Sequence, residues 1–154
     1  MNEQIVERYG DLVWRLALAH TGRFHDAEDV FQEVFLRYVR SQDKLKSAEH
    51  VRAWLIRCTI NCAKTLHASA WRRRTVPLED IPTEGMDEEA REVYAAVLAL
   101  PPIYRTAIHL HYFEGLSVAE IAKAAGCREG TVKSNLFRTR ERLREALERE
   151  GVAL

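Results

Sequence analysis

Apolar residues recur at three- and four-residue spacings along almost the whole of this 154-residue chain. No run alternates apolar and polar residues with the β-branched enrichment of a strand. A helix turns once in about 3.6 residues, so positions i, i+3, i+4 and i+7 share one face, whereas a strand needs a period of two. The chain is therefore predicted to be all-α. Ala27, Val30, Phe31, Val34, Phe35 and Tyr38 form one such stripe, in a helix that His25 or Asp26 should open, with acids suited to the positive end of its dipole. Val51, Trp54, Leu55, Cys58, Cys62 and Leu66 form a second stripe, in a helix expected over 47–73. An earlier helix is predicted over 2–20, with Ile5, Leu12, Leu16 and Ala19 facing inward. Together these make an N-terminal helical unit of roughly 70 residues, small but able to hold its own core.

The periodicity then stops. From Thr75 the chain reads Thr-Val-Pro-Leu-Glu-Asp-Ile-Pro-Thr-Glu-Gly-Met-Asp, with two prolines and a run of acids. Long structureless loops are uncommon inside compact domains, so this stretch is read as a flexible, extended acidic linker. The predicted organisation is a first domain over 1–74, a linker over 75–87 and a second domain over 88–154. In the second, a helix is expected over 87–99 and another from Pro102 to Phe113, because proline suits a first helical turn where its missing N–H loses nothing.

Residues 117–137 carry the most informative local pattern. Ser117 with Glu120 three residues on forms a capping box, Gly126 allows a turn, and Val132 anchors a final helix over about 129–148. Ile121 and Ala125 should face inward and Ala122 should allow close helix contact. This is the form of a helix-turn-helix. Its second helix exposes Lys133, Ser134, Phe137, Arg138, Arg140 and Arg142, with Arg144 a turn later, a set suited to phosphates and base edges in a major groove. The bland alternative is a helix pair with a solvated basic face.

Lys and Arg number 23 and Asp and Glu also 23, a balance that would count against nucleic acid if it were uniform. It is not uniform. Net charge is −2 over residues 1–40, +6 over 41–74, −6 over 75–100 and +2 over 101–154. Such asymmetry says more about partners than the total does. Within the +6 block, Trp71-Arg72-Arg73-Arg74 follows Arg57 and Lys64, an aromatic beside cations suited to nucleic acid by phosphate contact and base stacking, the alternative being a solvated helix end. Asp29, Gln32, Glu33, Leu36 and Arg40 fall on the outer side of the 26–40 helix, a face compatible with a basic, partly apolar protein.

No apolar run approaches the length of a membrane span, and Met1–Asp11 lacks the pattern of a secretory leader, so reduced cytosolic thiols and a cytoplasmic location are expected. Cys58 and Cys62 lie on the apolar stripe and read as core, while His109 and His111 point apart on a helix. No nucleophile–base set, phosphate loop or carboxylate cluster is present in the sequence, so no catalysis, metal or cofactor is expected.

Asp26-Ala-Glu-Asp-Val-Phe-Gln-Glu-Val-Phe-Leu-Arg-Tyr, then Ala53-Trp-Leu-Ile-Arg and Asn61, the acidic linker, and Leu100-Pro-Pro-Ile-Tyr-Arg leading into Gly130-Thr-Val-Lys-Ser follow one another in this chain. In these residues it resembles bacterial RNA polymerase sigma factors, of the small two-domain extracytoplasmic-function (ECF) group. The resemblance covers nearly the whole chain. It implies that Asp26, Asp29, Gln32, Glu33 and Leu36 dock on core RNA polymerase. It implies that the loop Ser41–His50, with Asp43 and Lys44, and Arg57, Asn61, Lys64, Trp71, Arg72, Arg73 and Arg74 read and open a promoter −10 element. Arg128, Thr131, Lys133, Ser134, Phe137, Arg138 and Arg140 would read the −35 element. Promoter DNA, core polymerase and an anti-sigma factor are the implied partners, with no further domain expected after Leu154. Cys127 replaces an aliphatic residue usual in the turn and is expected to be a small buried hydrophobe. The competing reading is a stand-alone helix-turn-helix regulator, in which the N-terminal unit would serve dimerisation or ligand binding.

Overall fold

A computed structural model describes residues 2–70 and 87–149, which form two compact helical units, one on each side of the intervening segment. Trp71–Arg74 and the acidic stretch to residue 86 lie outside the described residues. Among the described residues there is no strand, as the helical periodicity requires.

In the first unit α1 spans Asn2–Thr21, α2 spans Phe24–Ser41 and α3 spans Ala48–Ala70, and each packs against the other two. Gly22 stops α1 with φ 69°, a left-handed conformation that glycine adopts without a Cβ clash, and its N–H reaches the Leu18 carbonyl at 2.8 Å. Only Arg23 then separates the two helices. This is why α2 opens at Phe24 rather than at His25 or Asp26, with extended Arg23 as an N-cap lacking a side-chain hydrogen bond. Asp26 still falls in the first turn, where a negative charge suits the helix dipole.

Leu12, Leu16, Val30, Val34, Tyr38 and Leu55 meet in the core, and Trp14 packs edge-on against Phe24 and Phe31, with centroids 5.1 and 6.3 Å away. Ile5 and Ala19, expected inward, are only half-buried, while Tyr9, Val13 and Ala17 are buried beside Leu16. α3 departs further from a single stripe. Ile56, Thr59, Ile60 and Ala63 are buried as well as Val51, Leu55, Cys58 and Cys62, because α3 touches α1 on one side and α2 on the other. A polar residue sits in that face without cost: Thr59 Oγ1 donates to the Leu55 carbonyl at 2.6 Å. Ser47 opens α3, its Oγ accepting from the His50 N–H at 3.1 Å, so the connection from α2 is a 3₁₀ turn over Gln42–Lys44 plus three residues. The expected loop to His50 is shorter by the turn that Ser47 caps.

The second unit begins with α4 (Glu88–Leu98), followed by α5 (Pro102–Ile108), a single π-helical turn over His109–Phe113, α6 (Val118–Ala125) and α7 (Glu129–Arg149). The Pro102–Phe113 helix is thus not one regular element. The Glu114 N–H bonds five residues back, to the His109 carbonyl at 3.1 Å, and the wider turn keeps Leu110 buried while Tyr112 and Phe113 are exposed. α7 packs against α4, α5 and α6 through Val132, Leu136, Thr139 and Leu147.

Arg105 closes the junction between α4 and α5. The carbonyl of Leu98 would ordinarily be met by an N–H three or four residues on, but those residues are Pro101 and Pro102. The Arg105 guanidinium, only 7% exposed, donates through Nη1 to the Leu98 oxygen at 3.1 Å and also to that of Leu100. Burial lowers its pKa to about 10, still well above neutrality, so the group stays charged and its hydrogen bonds are charge-assisted. Arg105→Ala should lower the stability of the full chain by ~1.5–3 kcal/mol in urea unfolding, the range for stranding buried carbonyls bonded to a charged donor. A change within experimental error would remove Arg105 from this role.

Candidate nucleic-acid interface

The second unit presents a helix-turn-helix whose parts are fixed by local hydrogen bonds. Ser117 Oγ accepts from the Glu120 N–H at 3.1 Å, and Glu120 Oε1 accepts from the Ser117 N–H at 2.9 Å, completing the capping box at the start of α6. Gly126 ends α6 with φ 71°, and the Cys127 N–H closes the turn on the Ala122 carbonyl at 3.0 Å. Ile121, Ala122 and Ala124 are buried; Ala125, expected inward, is half-buried. Cys127 is likewise half-buried rather than buried, since the left-handed glycine before it swings the chain away from the core.

Val132, Leu136 and Thr139 lock the register of α7 by facing the core, and Thr139 Oγ1 bonds back to the Asn135 carbonyl at 2.6 Å. That register turns Thr131, Lys133, Ser134, Phe137 and Arg138 to solvent, together with Arg128 at the start of the helix. Phe137 is 60% exposed, which is unusual for an aromatic residue on a folded helix and leaves its ring free for contact. The arginines further along are engaged within the unit. Arg140 Nη1 donates to the Tyr112 hydroxyl at 2.9 Å, Arg142 lies over the Tyr104 ring at 4.8 Å, and Arg144 pairs with Glu141 at 3.3 Å. These pairings cross between elements, or link neighbours on one helix, and helical spacing alone did not reveal them.

In the first unit Arg57, Asn61 and Lys64 share one exposed face of α3 at i, i+4 and i+7. Arg57 and Asn61 line a cleft of about 290 Å³ with Arg37, Arg40, Ser41, Trp54 and Cys58. Trp54 is held edge-on to Tyr38, with centroids 6.2 Å apart. Arg37 and Arg40 come from the last turns of α2; helical spacing puts Arg40 on the acidic face and gives no sign that either joins a basic site. Asp43 and Lys44 stand exposed in the 3₁₀ turn that follows α2. Whether Trp71–Arg74 extend this surface lies outside the described residues.

A third surface runs along α2. Asp29 and Gln32 are exposed, Leu36 is 54% exposed, and Asp26 and Glu33 are partly covered. Val39 lies exposed three residues beyond Leu36, so the leucine is not isolated. Glu33 accepts from Arg37 Nε at 2.9 Å, which joins the acidic surface to the basic cleft. Cys58, Cys62 and Cys127 are free thiols, and no group of three or more metal-ligating side chains occurs among the described residues. No helix among them is long and apolar enough to cross a membrane.

Residues 5–73 match the family model described as Sigma-70 region 2, and residues 90–143 match Sigma-70, region 4. The chain is 35% identical over 157 residues to the ECF RNA polymerase sigma factor SigE of Mycolicibacterium smegmatis, covering 94% of this chain and 61% of that relative. It is 31% identical over 165 residues to the ECF RNA polymerase sigma-E factor of Haemophilus influenzae, covering 94% of this chain and 86% of the relative. Among solved structures, the sigma factor RpoE from Bartonella quintana, in complex with the anti-sigma factor NepR, superposes with a TM-score of 0.79 at 23% identity over 95% of this chain and 96% of that one. At that identity the likeness is one of fold. CnrH in complex with the cytosolic domain of CnrY gives a TM-score of 0.67 at 25% identity, covering 96% of this chain and 87% of that one.

Proposed function

From the premise that this chain belongs to the sigma-70 family, in its ECF group, we propose that it directs promoter-specific transcription initiation by binding core RNA polymerase and the −35 and −10 elements of promoter DNA. The observation that carries this reading is the pairing, in one chain and in family order, of a region 2 unit with a region 4 unit whose α7 turns a polar, cationic face to solvent. A stand-alone regulator would need its N-terminal unit for dimerisation or ligand binding, and a match to region 2 over residues 5–73 disfavours that alternative.

The resemblance to the family assigns the roles, and the exposure and charge of the residues suit them. The first domain, 1–74, takes core polymerase and the −10 element; 75–87 is the linker; 88–154 takes the −35 element. Asp26, Asp29, Gln32, Glu33 and Leu36 form the polymerase-docking face, an exposed apolar centre among acids suited to a basic, partly apolar helix surface. Asp43, Lys44, Arg57, Asn61 and Lys64, with Trp71, Arg72, Arg73 and Arg74, take the −10 strand; cations meet phosphates and tryptophan can stack on an unpaired base. Arg128, Thr131, Lys133, Ser134, Phe137 and Arg138 face the −35 major groove. Arg140 belongs with them as a phosphate contact, since one N–H on Tyr112 leaves other guanidinium donors available. The polymerase supplies the chemistry, so this chain is not itself an enzyme. It works in the cytoplasm and joins the nucleoid when bound to polymerase. An anti-sigma factor is the proposed antagonist; the superposed sigma factor RpoE is in complex with the anti-sigma factor NepR.

Core polymerase with the full chain should yield a promoter-dependent transcript that core polymerase alone does not. Tight binding of the free chain to duplex DNA with no association with core enzyme would overturn the reading. Arg138→Ala should weaken use of one −35 sequence by ~1–3 kcal/mol if its guanidinium reads a base. An equal loss on every promoter would mark it as a phosphate contact instead. Asp29→Arg combined with Glu33→Arg should abolish co-purification with core enzyme while the helical circular-dichroism signal is retained; undiminished association would remove α2 from the docking face.

A further inference from the structure

Cys58 and Cys62 lie one turn apart on α3 with Sγ atoms 3.9 Å apart, and their side chains are 8% and 5% exposed. Neither belongs to the surfaces assigned above, yet Cys58 forms part of the wall of the cleft that Arg37, Arg40 and Arg57 line. Either thiol can donate in this S–H···S contact, and the hydrogen bond with Cys58 holds Cys62 below the ordinary thiol range, at about 7; burial opposes this and the Arg37 charge adds to it. Sharing that proton pushes Cys58 up. The pair therefore gives up its first proton more readily than an isolated buried thiol would, and proton transfer along the S–H···S contact can leave the thiolate at Cys58, on the cleft side.

A vicinal thiol pair admits three chemistries, and the surroundings separate them. An intrahelical disulfide needs Cβ atoms ~3.5–4.5 Å apart, whereas residues i and i+4 of a helix hold them ~5–6 Å apart, so it would require α3 to deform. A cation would meet two sulfurs and no third protein ligand among the described residues, beside the guanidiniums of the cleft. An anionic disulfide meets neither obstacle. We propose that Cys58 is a site of reversible S-thiolation by small anionic disulfides, with the carboxylates of the adduct resting against Arg37, Arg40 and Arg57.

In that step the Cys58 thiolate attacks one sulfur of the incoming disulfide. A new S–S bond forms as the old one breaks, and the departing thiolate takes up the proton the pair released. Because Cys62 cannot reach Cys58 to form a disulfide without bending α3, the mixed disulfide persists until an external thiol removes it. The adduct fills the cleft beside Arg57 and Asn61 and sets carboxylates where phosphate would approach. The consequence, loss of promoter opening, rests on the reading of this face as the −10 surface.

The test exposes the full-length chain to oxidised glutathione and maps the product by mass spectrometry. One glutathione on Cys58, removed by dithiothreitol, is expected; it should persist in Cys127→Ser and vanish in Cys58→Ser. Should Cys58→Ser fail to fold, the map of the native chain decides. At low salt the reaction should run about tenfold faster than with neutral hydroxyethyl disulfide, and rising salt should erase the difference. Modification confined to Cys127, a Cys58–Cys62 disulfide, protection of Cys58 by equimolar zinc, or equal rates for the two reagents would overturn the proposal. With core polymerase, the thiolated chain should lose about tenfold of its promoter-dependent transcript, restored by dithiothreitol. Full transcription with Cys58 modified would sink the regulatory consequence. Absence of transcription even from untreated chain would instead sink the sigma reading and leave the thiol chemistry standing.

Discussion

The Leu98 carbonyl, at the end of α4, cannot be met by the backbone three or four residues on, because Pro101 and Pro102 occupy those positions and carry no N–H. Burying such an oxygen unpaired costs about as much as a lost hydrogen bond. Arg105 meets it from inside, and in doing so ties the end of α4 to the first turns of α5. The rest of the second unit is hung on that joint. α7 packs on α4, α5 and α6 together, so the angle between α4 and α5 decides where its exposed face points. A charged side chain in a helical core thus serves the position of a surface more than ten residues away in sequence.

The first unit solves a different problem, that of placing cations near thiols without burying charge. α3 has no side wholly to itself: α1 covers one flank and α2 the other, leaving a narrow strip with Arg57, Asn61 and Lys64 in water. The end of α2 runs beside that strip and contributes Arg37 and Arg40, so a basic cleft arises where two helices present cations to the same solvent space. Glu33 shares Arg37, which connects the acidic and basic faces of α2 within one turn. The formally neutral chain is therefore a set of local fields, and a ligand meets those rather than their sum.

Much of this was legible in the residues. One-sided stripes identified α1 and α2, Ser117 with Glu120 marked the start of α6, and Gly126 marked its end, because each signal acts through neighbours no more than a turn away. What was misread depended on distant partners. The second buried flank of α3, through Ile56 and Ile60, carries no distinct period, since a helix covered from two sides loses its stripe. The π turn at His109–Phe113 leaves no composition mark. Arg140 and Arg142 looked free on α7 because Tyr112 and Tyr104 reach them from another element.

By itself the sequence determined that the chain is helical, where the helix-turn-helix begins and turns, and which family its order of motifs belongs to. These follow from hydrophobic period, capping and glycine conformation, all of them short-range. Only the tertiary structure decided that Arg105 is buried, that Arg37 and Arg40 join Arg57 in one cleft with Cys58 in its wall, and that the basic face of α7 divides into exposed and engaged parts. Those outcomes depend on which helices meet and at what rotation, and packing sets that rotation only once the cores have formed.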